Sequence, residues 1–219
     1  MPPLTILISG TNRGLGKGLL QRYLARPDHI VIAANRDPKS SQSQALKDLP
    51  KGPGSRLIMV KVDATVESDA SEAVEDLVAQ GINSLDVVVA NAGVSLCHPK
   101  VSDLRMADVM AHFVPNVMGV LKTIRDQPPF PNAAYGPTKT YVHWLTKRMN
   151  AEEEITAFVA DPGFVATELG NRAANLLGFE RAPVDIADAC DGIVALIDRA
   201  TKEIHGGKFM GYQGIELPW

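Results

Sequence analysis

Tyr135 and Lys139 stand four residues apart in the run Tyr135-Gly136-Pro137-Thr138-Lys139, which on a helix puts both on one face. A phenol titrates near ~10 and exchanges protons poorly at neutral pH. An ammonium beside it favours the phenolate and brings that value down. The pair is therefore a candidate acid with its activator, although a Tyr-x-x-x-Lys spacing taken alone is nearly always a surface coincidence. A second group is Ser9-Gly10-Thr11-Asn12-Arg13-Gly14-Leu15-Gly16. Glycines there allow a tight turn and a close backbone approach, with helix N–H groups left to face a pyrophosphate. The bland alternative is a strand-to-helix turn that merely needs positive φ. Arg36 follows the next apolar run, where an acid would hold the ribose of NAD. A guanidinium suits a 2′-phosphate instead, and Arg13 is a second cation for it. Asp37 beside Arg36 tempers that reading, and ordinary solvated charges are the alternative. The balance favours NADP(H) over NAD(H).

These residues need elements to position them. Leu4–Ser9 reads as a buried strand, and Gly14–Ala25 as a helix with Leu15, Leu19, Leu20 and Leu24 at helical spacing. His29–Ala34, Leu57–Val62 and Leu85–Ala90 are further β-rich runs, and Glu67–Ala79 is an amphipathic helix. After them come a helix at Tyr135–Met149, a strand at Ile155–Ala160, a helix at Val184–Ala200 and a last short strand at Lys208–Tyr212. Strands separated by helices imply an α/β fold, a doubly wound parallel sheet flanked by helices on both faces. The alternation fails between Ala90 and Tyr135. Ser102 to about Arg125 reads as one helix, and the three prolines of Asp126–Asn132 exclude a central strand. Val117–Ile124 is the one candidate for a hidden strand, its composition fitting either period.

The 219 residues suit a single domain spanning the whole chain, with 45% of them apolar. A net charge of −3 offers no basic field for nucleic acid or an anionic membrane. Cys97 and Cys190 are too few for a disulfide framework, and no Cys/His spacing suits a metal. His98, His112 and His143 lack partner spacing and read as satisfied or exposed histidines. Met106, Met110 and Met118 read as core filler or pocket lining. With no leader and no apolar stretch of membrane-spanning length, a cytoplasmic protein is expected.

Taken together, Ser9–Gly16, Asp63 after the third strand, Asn91-Ala92-Gly93 after the fourth, Tyr135–Lys139 and Asp161–Thr167 resemble the short-chain dehydrogenase/reductase family along almost the whole chain. Asn132–Gly136, Leu169-Gly170 and the closing Leu217-Pro218-Trp219 resemble fungal ketoreductases of the norsolorinic acid type, which act in polyketide secondary metabolism. The resemblance implies a Rossmann-type fold and NADPH-dependent reduction of a small-molecule carbonyl, an aromatic polyketide in the subfamily. It implies Tyr135 as the acid, with Lys139 lowering its pKa and binding the nicotinamide ribose. Gly10, Asn12, Arg13, Gly14, Leu15 and Gly16 would hold the pyrophosphate side, and Arg13 and Arg36 the 2′-phosphate. Asp63 would meet the adenine, while Asn91, Ala92 and Gly93 would line the adenosine ribose. Pro162, Gly163, Val165 and Thr167 would flank the carboxamide. Taken singly, Asp63 would read as a strand-end turn former and Asn91–Gly93 as a plain loop. Asn116 would hold a water of the proton relay at a kink in the fourth helix. Gly170–Glu180, with Leu176, Leu177 and Phe179, reads equally as a substrate lid or an amphipathic helix. Homodimer formation through helices is a further implication.

The resemblance also exposes a gap. The family places a serine hydroxyl before the tyrosine helix to hold the substrate carbonyl, yet no serine lies between Ser102 and Tyr135. Asn116 and Tyr135 are 19 positions apart, too few for the rest of a helix and a strand. Three readings stay open. Val117–Ile124 rebuilds the strand with Thr123 as a substitute hydroxyl; or the strand is absent and the chain binds nucleotide without turnover, or is inactive; or the chain reflects a misassembled reading of its gene.

Overall fold

The computed structural model describes residues 2–66, 68–97, 105–118 and 135–218. The chain divides into two compact units, Met1–Gly93 and Val94–Trp219.

In the first unit, β1 (Leu4–Ser9), β2 (His29–Asn35), β3 (Arg56–Lys61) and β4 (Val87–Val89) form a parallel sheet of order β3-β2-β1-β4. Helix α1 (Gly14–Leu24) links β1 to β2, and Pro27, two residues beyond its C-cap Ala25, bars its continuation. A short helix α2 (Ser41–Gln44) and a 3₁₀ turn (Ala45–Asp48) precede β3. Helix α3 (Asp69–Ala79) carries Asp69 and Glu72 in its first turn, where the helix dipole favours acids. Ile30, Ile32 and Ala34 of β2 pack with Ile58, Val60, Ala73 and Leu77 in one apolar cluster. Val31 and Ala33, of opposite parity, are equally buried, so β2 is covered on both faces as a central parallel strand must be. β4 differs. Val88 is 61% exposed, and among the described residues no strand pairs with the outer edge of β4.

The second unit holds α4 (Met106–Phe113), which runs into a single π-helical turn at Val114–Met118. Pro115 lacks the N–H that an α-helical ladder would use there, and the widened turn absorbs the loss. Helix α5 (Gly136–Glu152) starts just after Tyr135 with Pro137 in its first turn. β5 (Val159–Asp161), β6 (Phe209–Gly211) and β7 (Glu216–Leu217) form a three-stranded sheet, β5–β6 parallel and β6–β7 antiparallel. Between β5 and β6 lie α6 (Glu168–Leu176), α7 (Ile186–Asp198) and α8 (Lys202–His205). The Asp185 carboxylate caps α7 by accepting from Ala187 N.

The expected parallel sheet and its crossover helices are thus present, within one or two residues at most ends. Within the interrupted region, residues 91–97 form no helix or strand, and residues 106–118 are helical. Val117 and Met118 continue α4 through its π turn instead of opening a strand. Residues 119–124, with Thr123, lie outside the described residues, as does His98. None of the described helices is long and apolar enough to cross a membrane.

Candidate active site

The glycine turn of the first unit is braced from two strands. Gly10 has φ +68° and Gly14 φ +56°, both in the left-handed region. A Cβ on Gly16 would stand 2.3 Å from Gly10 O and 2.5 Å from Asn91 Nδ2, so the helix start lies against the turn itself. Asn91, just past β4, donates through Nδ2 to Ser9 O (2.9 Å) and Gly10 O (3.2 Å). The Ser9 hydroxyl in return accepts from the N–H groups of Asn91 and Ala92. From β2, Asn35 accepts Thr11 N–H at 2.8 Å. The N-cap of α1 is Arg13, whose side chain makes no capping bond, and a helix N-terminus at this turn suits an anion. A phosphate cradle is what this arrangement fits.

Around the turn, Arg13 and Arg36 are exposed. Asn12 Nδ2 donates to Gln42 Oε1 at 3.1 Å. Asp63 lies two residues past β3, where its Oδ1 accepts from both N–H and Oγ1 of Thr65. The turn-former reading of Asp63 is therefore realised locally. Sequence reasoning missed three polar residues here. Asp69 is 2% exposed, pairs with Lys61 at 2.7 Å and accepts Asp63 N–H at 2.7 Å, which lowers its pKa. Asn35, and the bracing role of Ser9 within its motif, give no sequence signal because a polar residue ending an apolar run reads simply as the strand's end.

In the second unit, Tyr135 is half-buried at the N-cap of α5, and Lys139 lies on the same face, its Nζ 5.5 Å from the phenol ring centroid. The spacing argument thus brings the pair together. Their electrostatics differ from expectation. Burial first, and the charge of Asp161 second, push the Tyr135 phenol up to about 12, and burial lowers the Lys139 ammonium. Desolvation of the phenolate dominates, and the ammonium lies over the face of the ring.

Asn116 lies in the π turn, 1% exposed. Its Oδ1 accepts Val94 N–H at 2.7 Å, and its Nδ2 donates to Val94 O at 2.8 Å and to Thr138 Oγ1 at 3.2 Å. The Thr138 hydroxyl donates to Tyr135 O at 2.6 Å, so one chain of hydrogen bonds joins α4, the segment after Gly93 and the start of α5. Asn116 thus stands where α4 widens into its π turn. One turn earlier, buried His112 accepts Leu96 N–H through Nε2 at 2.8 Å, with Nδ1 2.6 Å from Asp108 O. Arg172 of α6 reaches Ser95 O. His112 is thus a satisfied histidine, and the His143 ring packs against Phe209 at a tilt of 56°, with 4.1 Å between ring centroids.

The segment after β5 is equally fixed. Asp161 Oδ1 accepts Gly163 N–H, and Gly163 has φ +74°. Val165 is buried, and Ala166 N–H bonds Val184 O. Thr167 caps α6, its Oγ1 accepting from Gly170 N–H. Leu176, the last residue of α6, and Phe179 beyond it are exposed at 64% and 61%. Among the described residues no group of three or more His, Cys, Asp or Glu could hold a metal.

The family model for short chain dehydrogenase matches residues 4–130. The chain is 38% identical to the norsolorinic acid ketoreductase nor1 of Dothistroma septosporum, over 98% of this chain and 92% of that one. It is 32% identical to the norsolorinic acid ketoreductase of Aspergillus parasiticus, over 97% and 90%. The first alignment runs over 248 positions against the chain's 219 residues, so at least 29 of them lack a residue of this chain. NADPH-bound carbonyl reductase from chicken fatty liver superposes with a TM-score of 0.83 at 19% identity, covering 100% of both chains. The carbonyl reductase Sniffer of Drosophila melanogaster gives 0.81 at 20%, covering 99% of this chain and 100% of that one.

Proposed function

The chain belongs to the short-chain dehydrogenase family, and on that premise we propose that it is an NADPH-dependent ketoreductase of fungal polyketide secondary metabolism. Its substrate class is a small-molecule carbonyl, in particular an aromatic polyketide ketone. The observation that carries the reading is the phenol of Tyr135 and the ammonium of Lys139 on the first turns of α5, 5.5 Å from ring centroid to Nζ.

The glycine turn suits the pyrophosphate, with Gly10, Asn12, Arg13, Gly14, Leu15 and Gly16 around it. Arg13 and Arg36 take the 2′-phosphate, and Asp63, Asn91, Ala92 and Gly93 the adenosine. Lys139 holds the nicotinamide ribose, and Pro162, Gly163, Val165 and Thr167 flank the carboxamide. When bound, the reduced nicotinamide supplies a hydride. Tyr135 donates a hydrogen bond to the substrate carbonyl oxygen, orienting it. As negative charge develops on that oxygen, the Tyr135 proton moves to it and yields the alcohol. The resulting phenolate is stabilised by the Lys139 ammonium. Asn116 fixes Val94 and, through Thr138, the carbonyl of Tyr135, which sets the phenol's starting position. Thr123 is the hydroxyl proposed for the serine's task.

Both units together are proposed as one NADP-binding domain, cytoplasmic and able to pair with a second copy. A second reading, nucleotide binding without turnover, draws on the missing serine and the shortfall of at least 29 positions against the D. septosporum relative. Ketone-dependent NADPH oxidation by the purified chain, set beside NADPH binding alone, separates the two.

A further inference from the structure

We propose that Asn35 is a positioning residue for the nucleotide, holding the phosphate-cradling turn through Thr11; the proposal rests on the NADP-binding reading above. The parallel ladder between β1 and β2 runs from Leu4 opposite His29 to Ser9 opposite Ala34, and Gly10 N–H still finds Ala34 O at 2.9 Å. At Gly10 the chain turns out of the strand with φ +68°, so the next N–H, that of Thr11, leaves the reach of the backbone ladder. Asn35 replaces the missing rung. Its Oδ1 accepts Thr11 N–H at 2.8 Å and Thr11 Oγ1 at 3.2 Å. Thr11 is fully buried and Asn35 is 3% exposed, so no water competes for these bonds. The main chain of Asn35 is itself fixed, since its carbonyl accepts Val62 N–H at 3.0 Å. The clasp therefore ties the turn to a rigid strand end, and the next residue along that strand is Arg36.

The choice of amide over acid has a consequence. The acceptor must face Thr11, so Nδ2 points away, buried and with no hydrogen-bond partner among the described residues. An aspartate would hold Thr11 equally well and leave no orphaned donor. It would also set a negative charge beside Arg36, where a 2′-phosphate is to be received and where an acid selects the unphosphorylated ribose. Asn35 thus combines a shape requirement of the turn with neutrality toward the phosphate.

Amide hydrogen exchange at Thr11 and titrations with NADPH and NADH, followed by nucleotide fluorescence, test this on the full chain. In Asn35→Leu, Thr11 should exchange at least about tenfold faster and both nucleotides should bind about tenfold more weakly or worse. The amides of Leu7 and Ile32 report whether the strands remain formed. Asn35→Asp restores the acceptor, so it should recover Thr11 protection and NADH affinity while NADPH binding stays weak. Should Asn35→Leu unfold, Thr11 protection in Asn35→Asp decides: wild-type protection supports the clasp and its loss overturns it. Unchanged Thr11 exchange or unchanged affinities in a folded Asn35→Leu also overturn it. A wild-type chain that binds neither nucleotide would defeat the proposed function, and with it the positioning role, while the exchange measurement still reads the clasp.

Discussion

Val94 donates its N–H to Asn116 Oδ1 at 2.7 Å and accepts from Asn116 Nδ2 at 2.8 Å, so a single side chain serves it as a neighbouring strand would. Asn116→Ala leaves the Val94 N–H and C=O without those partners and removes a bond to Thr138. Each net hydrogen bond is worth ~0.5–1.5 kcal/mol, with more lost where a buried group stays unsatisfied. A stability loss of about 2–4 kcal/mol in urea unfolding is expected, accompanied by slower turnover, because Tyr135 loses the far end of its hydrogen-bond chain.

Gly16 is the tightest point of the nucleotide turn. A methyl group there meets Gly10 O at 2.3 Å and Asn91 Nδ2 at 2.5 Å, neither of which is the end of a long flexible side chain. Gly16→Ala should destabilise the chain by about 1–3 kcal/mol and abolish nucleotide binding, both read from thermal unfolding with and without NADPH.

How much of this was legible in the sequence varies with the range of the interaction. The strands of the first unit declare themselves through apolar runs, and Tyr135 and Lys139 through helical spacing, because both signals are local. The roles of Asn35, Ser9 and Asp69 are invisible to any period, since each acts on a main-chain group brought close by folding. The π turn was hidden for another reason. A helix read from Ser102 to about Arg125 says nothing of how it passes Pro115, and α4 does so by widening one turn. Val117 and Met118, ambiguous in composition, follow that helix. Val88 on β4 is 61% exposed, and among the described residues no strand pairs beyond β4.

The Tyr135 phenol, held up to about 12 by burial and by Asp161, stays protonated across the neutral range. Carbonyl reduction needs that proton and should be level with pH there. Alcohol oxidation needs the phenolate and should climb as pH rises toward 12. Asp161→Asn removes the charge that opposes ionisation, so the oxidation limb should move to lower pH while burial keeps it above the ordinary phenol range. The same sign governs stability. A raised folded-state value gives stability that is full below the unfolded phenol's pKa and lost as pH passes through the folded one, and Tyr135→Phe should blunt that alkaline loss. An oxidation profile unmoved by Asp161→Asn would contradict the assignment.

Arg36 is exposed one residue past β2, and the 2′-phosphate contact proposed for it would be charge-assisted. Arg36→Ala should weaken NADPH binding by about tenfold or more and leave NADH binding nearly unchanged, as read by isothermal titration. Equal losses for both nucleotides would place Arg36 in the general scaffold instead.

The most direct test follows NADPH absorbance in single-turnover reactions with an aromatic ketone, comparing the wild-type chain with Tyr135→Phe at matched nucleotide occupancy. Ketone-dependent oxidation by the wild type is expected, with a loss of about 10²-fold or more in Tyr135→Phe while NADPH stays bound. Bound NADPH that the wild type leaves unoxidised, or equal rates in the two proteins, would contradict that expectation.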